Sequence, residues 1–308
     1  MRAIAMTDFH ATPAMTELDA PEPAEGEIRV RVRAASVNAF DLSVAAGRTK
    51  DYMEHRFPLV LGKDFAGEVD AVGAGVTGYA VGDRVFGVVT KPYLGDGSFA
   101  EYVTVPTAVG VAKLPEGVPY TDAAALGLAG AAAHGILDGA QLQPGQTVVV
   151  VGATGGVGTQ VVQLAAIAGA TVLATAHSNE ERELVTRLGA NTTVDHTADL
   201  LAQVREIAPN GVDIVVHLAG ELSVEAVRDG GRFVSTLITS PEQVPTDTAV
   251  VVPIYANPTP DVLDRCAASH ASGDTTVAVQ RVYPLEQALD AFGQFANGTL
   301  GKIVITTD

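Results

Sequence analysis

The residues best suited to chemistry lie in one short segment, Gly152 to Gly158, which reads GATGGVG. Ala153, Gly155 and Gly158 occupy the three positions of a GxGxxG spacing, with alanine in place of the first glycine. Where such a turn joins a strand to a helix, a backbone lacking Cβ atoms can approach a diphosphate closely. The helix N-terminus then adds unpaired N–H groups and the positive end of its dipole. Both neighbours are present. The β-branched run Val148 to Val151 precedes the turn, and in TQVVQLAAIAG after it Val161, Leu164, Ala165 and Ala168 recur at helical spacing up to Gly169. A dinucleotide site is therefore expected, lined by Gly152, Ala153, Thr154, Gly155, Gly156 and Val157. The competing reading is a tight turn whose glycines serve only close packing of helix on strand.

The end of the next strand selects the cofactor, because an acidic residue there binds the ribose 2′-hydroxyl of NAD and repels the 2′-phosphate of NADP. This chain has Thr175, Ala176, His177 and Ser178 there, with Arg182 and His196 close in sequence. The absence of a carboxylate predicts NADPH, with Ser178, Arg182 and His196 as candidate phosphate contacts. Against this, Ser178 and Glu181 form a capping-box spacing, Arg182 also reads as a solvated helix charge, and Glu180 and Glu181 oppose a phosphate unless they point away.

These residues need a frame. From Thr147 onward strands alternate with helices: Thr171 to Ala176, Thr192 to Asp195, Asp213 to Ala219 and Arg232 to Ile238 read as further strands, with helix-like SNEERELVTRLGA and DLLAQVREIA between them. That alternation implies right-handed crossovers and a doubly wound parallel sheet. The first 115 or so residues are instead rich in Gly and Pro, with β-type runs at Glu27 to Val32, Glu68 to Val72, Asp83 to Val89 and Phe99 to Val105. They read as a mostly antiparallel β domain. The tail strands around TTVAVQRVYPL and GKIVITTD flank a helix, Leu285 to Asn297, and are expected to complete that domain. The expected boundaries are 1–117 with 274–308 for the β domain and 118–273 for the doubly wound one, with the cleft between them as the default substrate site.

Composition narrows the partners. With 36 acidic against 19 basic residues in 308, the net charge is −17, and no basic patch stands out to neutralise phosphate backbones, so nucleic acid is not expected. The single cysteine, Cys266, excludes an intramolecular disulfide and any multi-thiolate zinc site. Asp8 interrupts the N-terminus before a signal-peptide core accumulates, and glycines and Pro144 break the uncharged interval between Asp138 and Glu180. A cytoplasmic protein without a membrane span is expected.

The ordered series AASVNAFDLSVAAG (34–47), LGKDFAGEVDAVGAGV (61–76), VGDRVFG (81–87), GSFAEYVTVP (97–106), VVVVGATGGVGTQVVQLA, GVDIVVHLAG and the closing GKIVI resembles the medium-chain dehydrogenases and reductases, and within them the zinc-independent quinone oxidoreductase (zeta-crystallin-like) branch. The resemblance is nearly end to end. It implies an α/β fold in which a GroES-like catalytic domain joins a Rossmann domain, an NADPH-filled cleft, and usually a homodimer. Zinc-dependent relatives carry a metal-binding Cys where this chain has Asn38 and a metal-binding His where it has Lys63, and neither substitute suits zinc. Without a metal to polarise an alcohol, the expected reaction is hydride delivery to a quinone or an α,β-unsaturated carbonyl.

Three residues are candidates for the reacting site. Asn38 matches the family's SVN segment and offers an amide to substrate or ribose; alternatively it is a buried Asn closing a turn before Asp41. Tyr52, in RTKDYMEHRF, lies where related enoyl reductases carry a tyrosine acid. Lys63 is a candidate fixed cation, or else a solvated or salt-bridged lysine beside Asp64. His55, His134, His217 and His270 form no catalytic spacing, Cys266 reads as a small buried hydrophobe, and Tyr255 and Asn257 read equally as loop packing or as neighbours of the nicotinamide. Two rivals remain: an enoyl-thioester reductase of the same fold, and a non-catalytic NADPH-binding redox sensor.

Overall fold

The computed structural model describes residues 1–307, which divide into two compact units. One comprises Met1–Leu128, Pro258–Gly273 and the chain from Val279; the other comprises Ala129–Asn257 with Asp274–Ala278.

The second unit holds a six-stranded parallel sheet. Across it run Thr192–Val194, Thr171–Thr175, Thr147–Val151, Val212–His217, Val227–Ser235 and Val250–Pro253. The chain winds outward one way from Thr147–Val151 and then, beginning at Val212, the other way. The order therefore reverses beside the carboxyl end of Thr147–Val151, where open α/β sheets bind ligands. The central strands are largely buried and mostly apolar, as in a sheet covered on both faces, and Val149, Val151, Leu173, Val215 and Phe233 belong to one core cluster. The expected strand at Arg232 to Ile238 lies earlier, over Val227–Ser235, directly after a single 3₁₀ turn, Val224–Ala226. Gly230 allows this, with φ +72° and its N–H donated to Thr248 O.

In the first unit the main sheet runs Val111–Lys113, Arg84–Val88, Asp64–Val72, Glu27–Ser36, Lys302–Thr306 and Val279–Pro284, with Tyr102–Pro106 also on Glu27–Ser36. Its pairs are antiparallel except the last, Val279–Pro284 with Lys302–Thr306, which is parallel because helix Ala288–Ala296 makes the crossover between them. Alternation along EIRVRV turns Ile28, Val30 and Val32 into the core beside Phe65, Phe99 and Ile303.

The compact units divide at other positions than the domains expected from the sequence. Residues 118–128 and 258–273 belong with the β unit: Leu128 N–H donates to Asp64 Oδ1 at 2.7 Å, and Gly110 N–H to Pro258 O at 2.9 Å. Residues 274–278 belong with the other unit, where the buried Gln160 and Gln163 side chains both donate to Thr276 O. Among the described residues one helix, Tyr120–Ala140, is long and apolar enough to cross a membrane, yet 67% of its apolar window is buried inside the protein, as in a core helix.

Candidate functional site

The glycine turn forms where the sequence places it. Helix Gly156–Ile167 follows directly, with Gly155 as its N-cap. The first helical hydrogen bond runs from Thr159 N to Gly155 O, so the N–H groups of Gly156, Val157 and Gly158 lie ahead of the ladder. Thr175 Oγ1, from the neighbouring strand, accepts from Gly152 N at 3.0 Å and Ala153 N at 3.3 Å, which fixes the start of the turn.

The glycines divide by role. A Cβ on Gly158 would sit 2.1 Å from Gly152 O, so this position serves close packing of helix on strand. Gly152 has φ +87° and is crowded by Leu218 and Ala219. Gly155 has neither reason to be glycine: its φ is −75° and a Cβ there would meet only Gly152 O, at an ordinary 3.5 Å. Gly155 thus has room for a Cβ, next to N–H groups of Gly156, Val157 and Gly158 that have no hydrogen-bond acceptor among the described residues. A diphosphate fits that arrangement.

At the end of strand Thr171–Thr175 the candidate phosphate contacts are already engaged. Ser178 caps helix Asn179–Arg187, its Oγ accepting from Glu181 N at 3.1 Å. Arg182 lies 3.8 Å from Asp195 Oδ2, and His196 Nε2 lies 3.6 Å from Glu181 Oε2. The sequence reading found no carboxylate here, but tertiary pairing supplies one. Ala176 N–H bonds Val194 O, which brings Asp195 beside the strand end, 3.0 Å from His177 Nδ1. The Thr197 hydroxyl and N–H, then His177, hold the Asp195 carboxyl well below the usual carboxylate range.

In the β unit the charged residues gather around Asp64, which is fully buried. Its Oδ2 accepts from Ser36 Oγ at 2.6 Å and Asn38 Nδ2 at 2.9 Å and lies 3.3 Å from Lys302 Nζ. Lys302 Nζ donates to Asn38 Oδ1 at 2.6 Å and Val37 O at 3.2 Å. Both amide hydrogens of Asn38 are thus used internally, on Asp64 and on Ser36 O. The expectation of a donor free for substrate gives way to the turn-closing alternative, since Asn38 also caps helix Ala39–Ala45 and its N–H donates to Asp41 Oδ2 at 2.8 Å.

Asp64 pairs with Lys302, so Lys63 is not its ion-pair partner. The Lys63 ammonium has no hydrogen bond or ion pair among the described residues and lies 5.5 Å from the Phe40 ring centroid. Burial pushes its pKa down, opposed by the charges of Asp41 and Asp64. Asp41 is raised to about 7 by burial and then by the charge of Asp64. Lys63 and Asp41 line the same small cavity, of about 20 Å³, with Phe40, Val44, Tyr93 and Asp96.

The remaining candidates are dispersed. Tyr52 is 84% exposed, and among the described residues its one hydrogen bond is from its backbone N–H to Thr49 O. Tyr255 donates its hydroxyl to Thr239 O, and Cys266 is buried with its thiol pushed up to about 12 by burial. His270, which showed no partner by spacing, lies 3.2 Å from Asp122 Oδ2. Sequence reasoning missed Ser36, Asp41, Lys302 and Asp195. The signal for Lys302 was present: a lysine opening the otherwise apolar strand KIVIT.

Comparisons with known proteins agree with this architecture. Residues 24–116 match the alcohol dehydrogenase GroES-like domain, and residues 156–253 match a family described as zinc-binding dehydrogenase. A mycocerosic acid synthase-like polyketide synthase of Mycolicibacterium smegmatis is 38% identical over 219 residues, 69% of this chain, and the chain spans only 10% of that synthase's length. The pig quinone oxidoreductase is 28% identical over 99% of this chain and 97% of its own. Among solved structures, a mycobacterial protein complexed with NADPH superposes with a TM-score of 0.87 at 28% identity, covering 100% of both chains.

Proposed function

Because the chain belongs to the medium-chain dehydrogenase/reductase superfamily, in its quinone oxidoreductase-like branch, we propose that it is an NADPH-dependent, zinc-independent reductase of quinones or α,β-unsaturated carbonyl compounds. The observation that carries this reading is Gly155, whose missing side chain has no internal explanation and leaves room for a diphosphate. Gly152 to Val157 hold the diphosphate, and Ser178, Arg182 and His196 lie at the ribose edge. Bound NADPH supplies hydride to an electrophilic carbon.

The residues of the β unit then have distinct tasks. Lys63, a desolvated cation with no hydrogen bond or ion pair among the described residues, stabilises negative charge building on the carbonyl oxygen. Asn38, held by Lys302, Ser36 and Asp64, fixes the loop that carries Asp41. Exposed Tyr52 is the candidate proton donor, in exchange with solvent. Zinc does not suit these residues: Asn38 Oδ1 already accepts from the Lys302 ammonium, and Lys63 adds a second cation to the cluster. No step passes through a metal.

A homodimer in the cytoplasm completes the reading. Strand Val250–Pro253 is an open sheet edge with Val250 exposed, which supports self-association, and the free Cys266 suits a reducing compartment. A second reading, reduction of an enoyl thioester, is favoured by the 38% identity to the polyketide synthase.

Steady-state assays with NADPH and a quinone, a short enone or crotonyl-CoA test the proposal. Turnover of the quinone or enone is expected. Turnover of the thioester alone transfers the assignment to the second reading, and binding without any turnover makes the protein a cofactor sensor. Stoichiometric zinc in the purified protein overturns the metal-free chemistry.

A further inference from the structure

The ribose edge of the parallel sheet carries a carboxylate that the linear fingerprint does not reveal. Asp195 follows strand Thr192–Val194, whose pairing with Thr171–Thr175, Val194 opposite Thr175, puts it just past the strand end where an acidic residue selects the cofactor, with its carboxylate 3.0 Å from His177 Nδ1. It is oriented from several sides. The Thr197 hydroxyl donates to Oδ1 at 2.7 Å and Thr197 N–H at 2.8 Å, while His177 Nδ1 lies 3.0 Å and Arg182 3.8 Å from Oδ2. The groups best able to meet a phosphate therefore face a carboxylate instead. Glu181 is spent otherwise, accepting from Ser178 N and His177 N and lying beside His196.

We propose that Asp195 is a specificity-determining residue that weakens discrimination in favour of NADPH, by repelling the 2′-phosphate and occupying Arg182 and His177. The inference rests on the cofactor reading above. Removing the charge while keeping the Thr197 hydrogen bonds to Oδ1 frees Arg182 and the His177 ring, and the Asp195 side chain is only partly buried. Its effect is electrostatic and falls with ionic strength.

The test is titration of the intact protein with NADPH and NADH, followed by nucleotide fluorescence, for wild type, Asp195→Asn and Asp195→Ala, with melting temperatures as a folding control. Asp195→Asn is expected to tighten NADPH about threefold or more at low salt, the scale of one charge pair in high dielectric. NADH should stay unchanged or weaken, and added salt should shrink the gain. Asp195→Ala should shift the ratio in the same direction. Equal changes for both nucleotides, or none in folded variants, overturn the role of Asp195. Failure of wild type to bind either nucleotide overturns the cofactor reading itself.

Discussion

Lys302 Nζ lies 2.6 Å from Asn38 Oδ1, across 264 residues of chain. The same ammonium is 3.3 Å from Asp64 Oδ2, and Lys302 and Asp64 are both almost wholly buried. One cation from the closing strand thus orients an amide on the loop before helix Ala39–Ala45 and neutralises a carboxylate on strand Asp64–Val72. Each partner depends on the others, because a lone buried charge costs several kcal/mol.

Lys302→Met should therefore destabilise the protein by about 3–5 kcal/mol, leaving Asp64 without its counter-ion and Asn38 Oδ1 without its donor. Urea denaturation at neutral pH measures this. A loss below about 1 kcal/mol, the range of an exposed pair, would show that the network is not what holds this region.

Asp41 should give stability a distinctive pH dependence. Its folded pKa, raised to about 7, lies above the roughly 3.9 of an unfolded Asp, so the native state binds the extra proton between those values. Its contribution is fully present below about pH 4 and is lost as pH rises towards about 7. Asp41→Asn keeps an acceptor for Asn38 N–H and removes the titration. The stability of wild type minus that of the variant should fall between pH 4.5 and 7.5 and then level off. A constant difference would place the Asp41 pKa elsewhere.

Two alanine substitutions in the turn should separate. Gly158→Ala forces a Cβ to 2.1 Å from Gly152 O and should lower thermal stability, because backbone must move. Gly155→Ala meets nothing closer than 3.5 Å and should melt like wild type, yet weaken NADPH at least about tenfold if the diphosphate occupies that space. Unchanged affinity in Gly155→Ala would remove the turn from the binding site.

The sequence alone determined the local and periodic features. The GATGGVG turn between an apolar strand and a helix, the Ser178–Glu181 cap and the alternation of EIRVRV are set by residues within a few positions of one another. The two-unit architecture followed from where α/β alternation begins and ends, and the family resemblance supplied the same division. The compact units divide at other positions than the expected ones because segments such as 118–128 are held by long-range contacts, such as Leu128 to Asp64, that leave no local pattern. For the same reason only tertiary structure decided that Asp64 pairs with Lys302 and not with its neighbour Lys63, that the hydrogens of Asn38 are consumed, and that Asp195 stands beside His177. Strand pairing joins residues tens to hundreds of positions apart, whereas propensity and spacing report only neighbours along the chain.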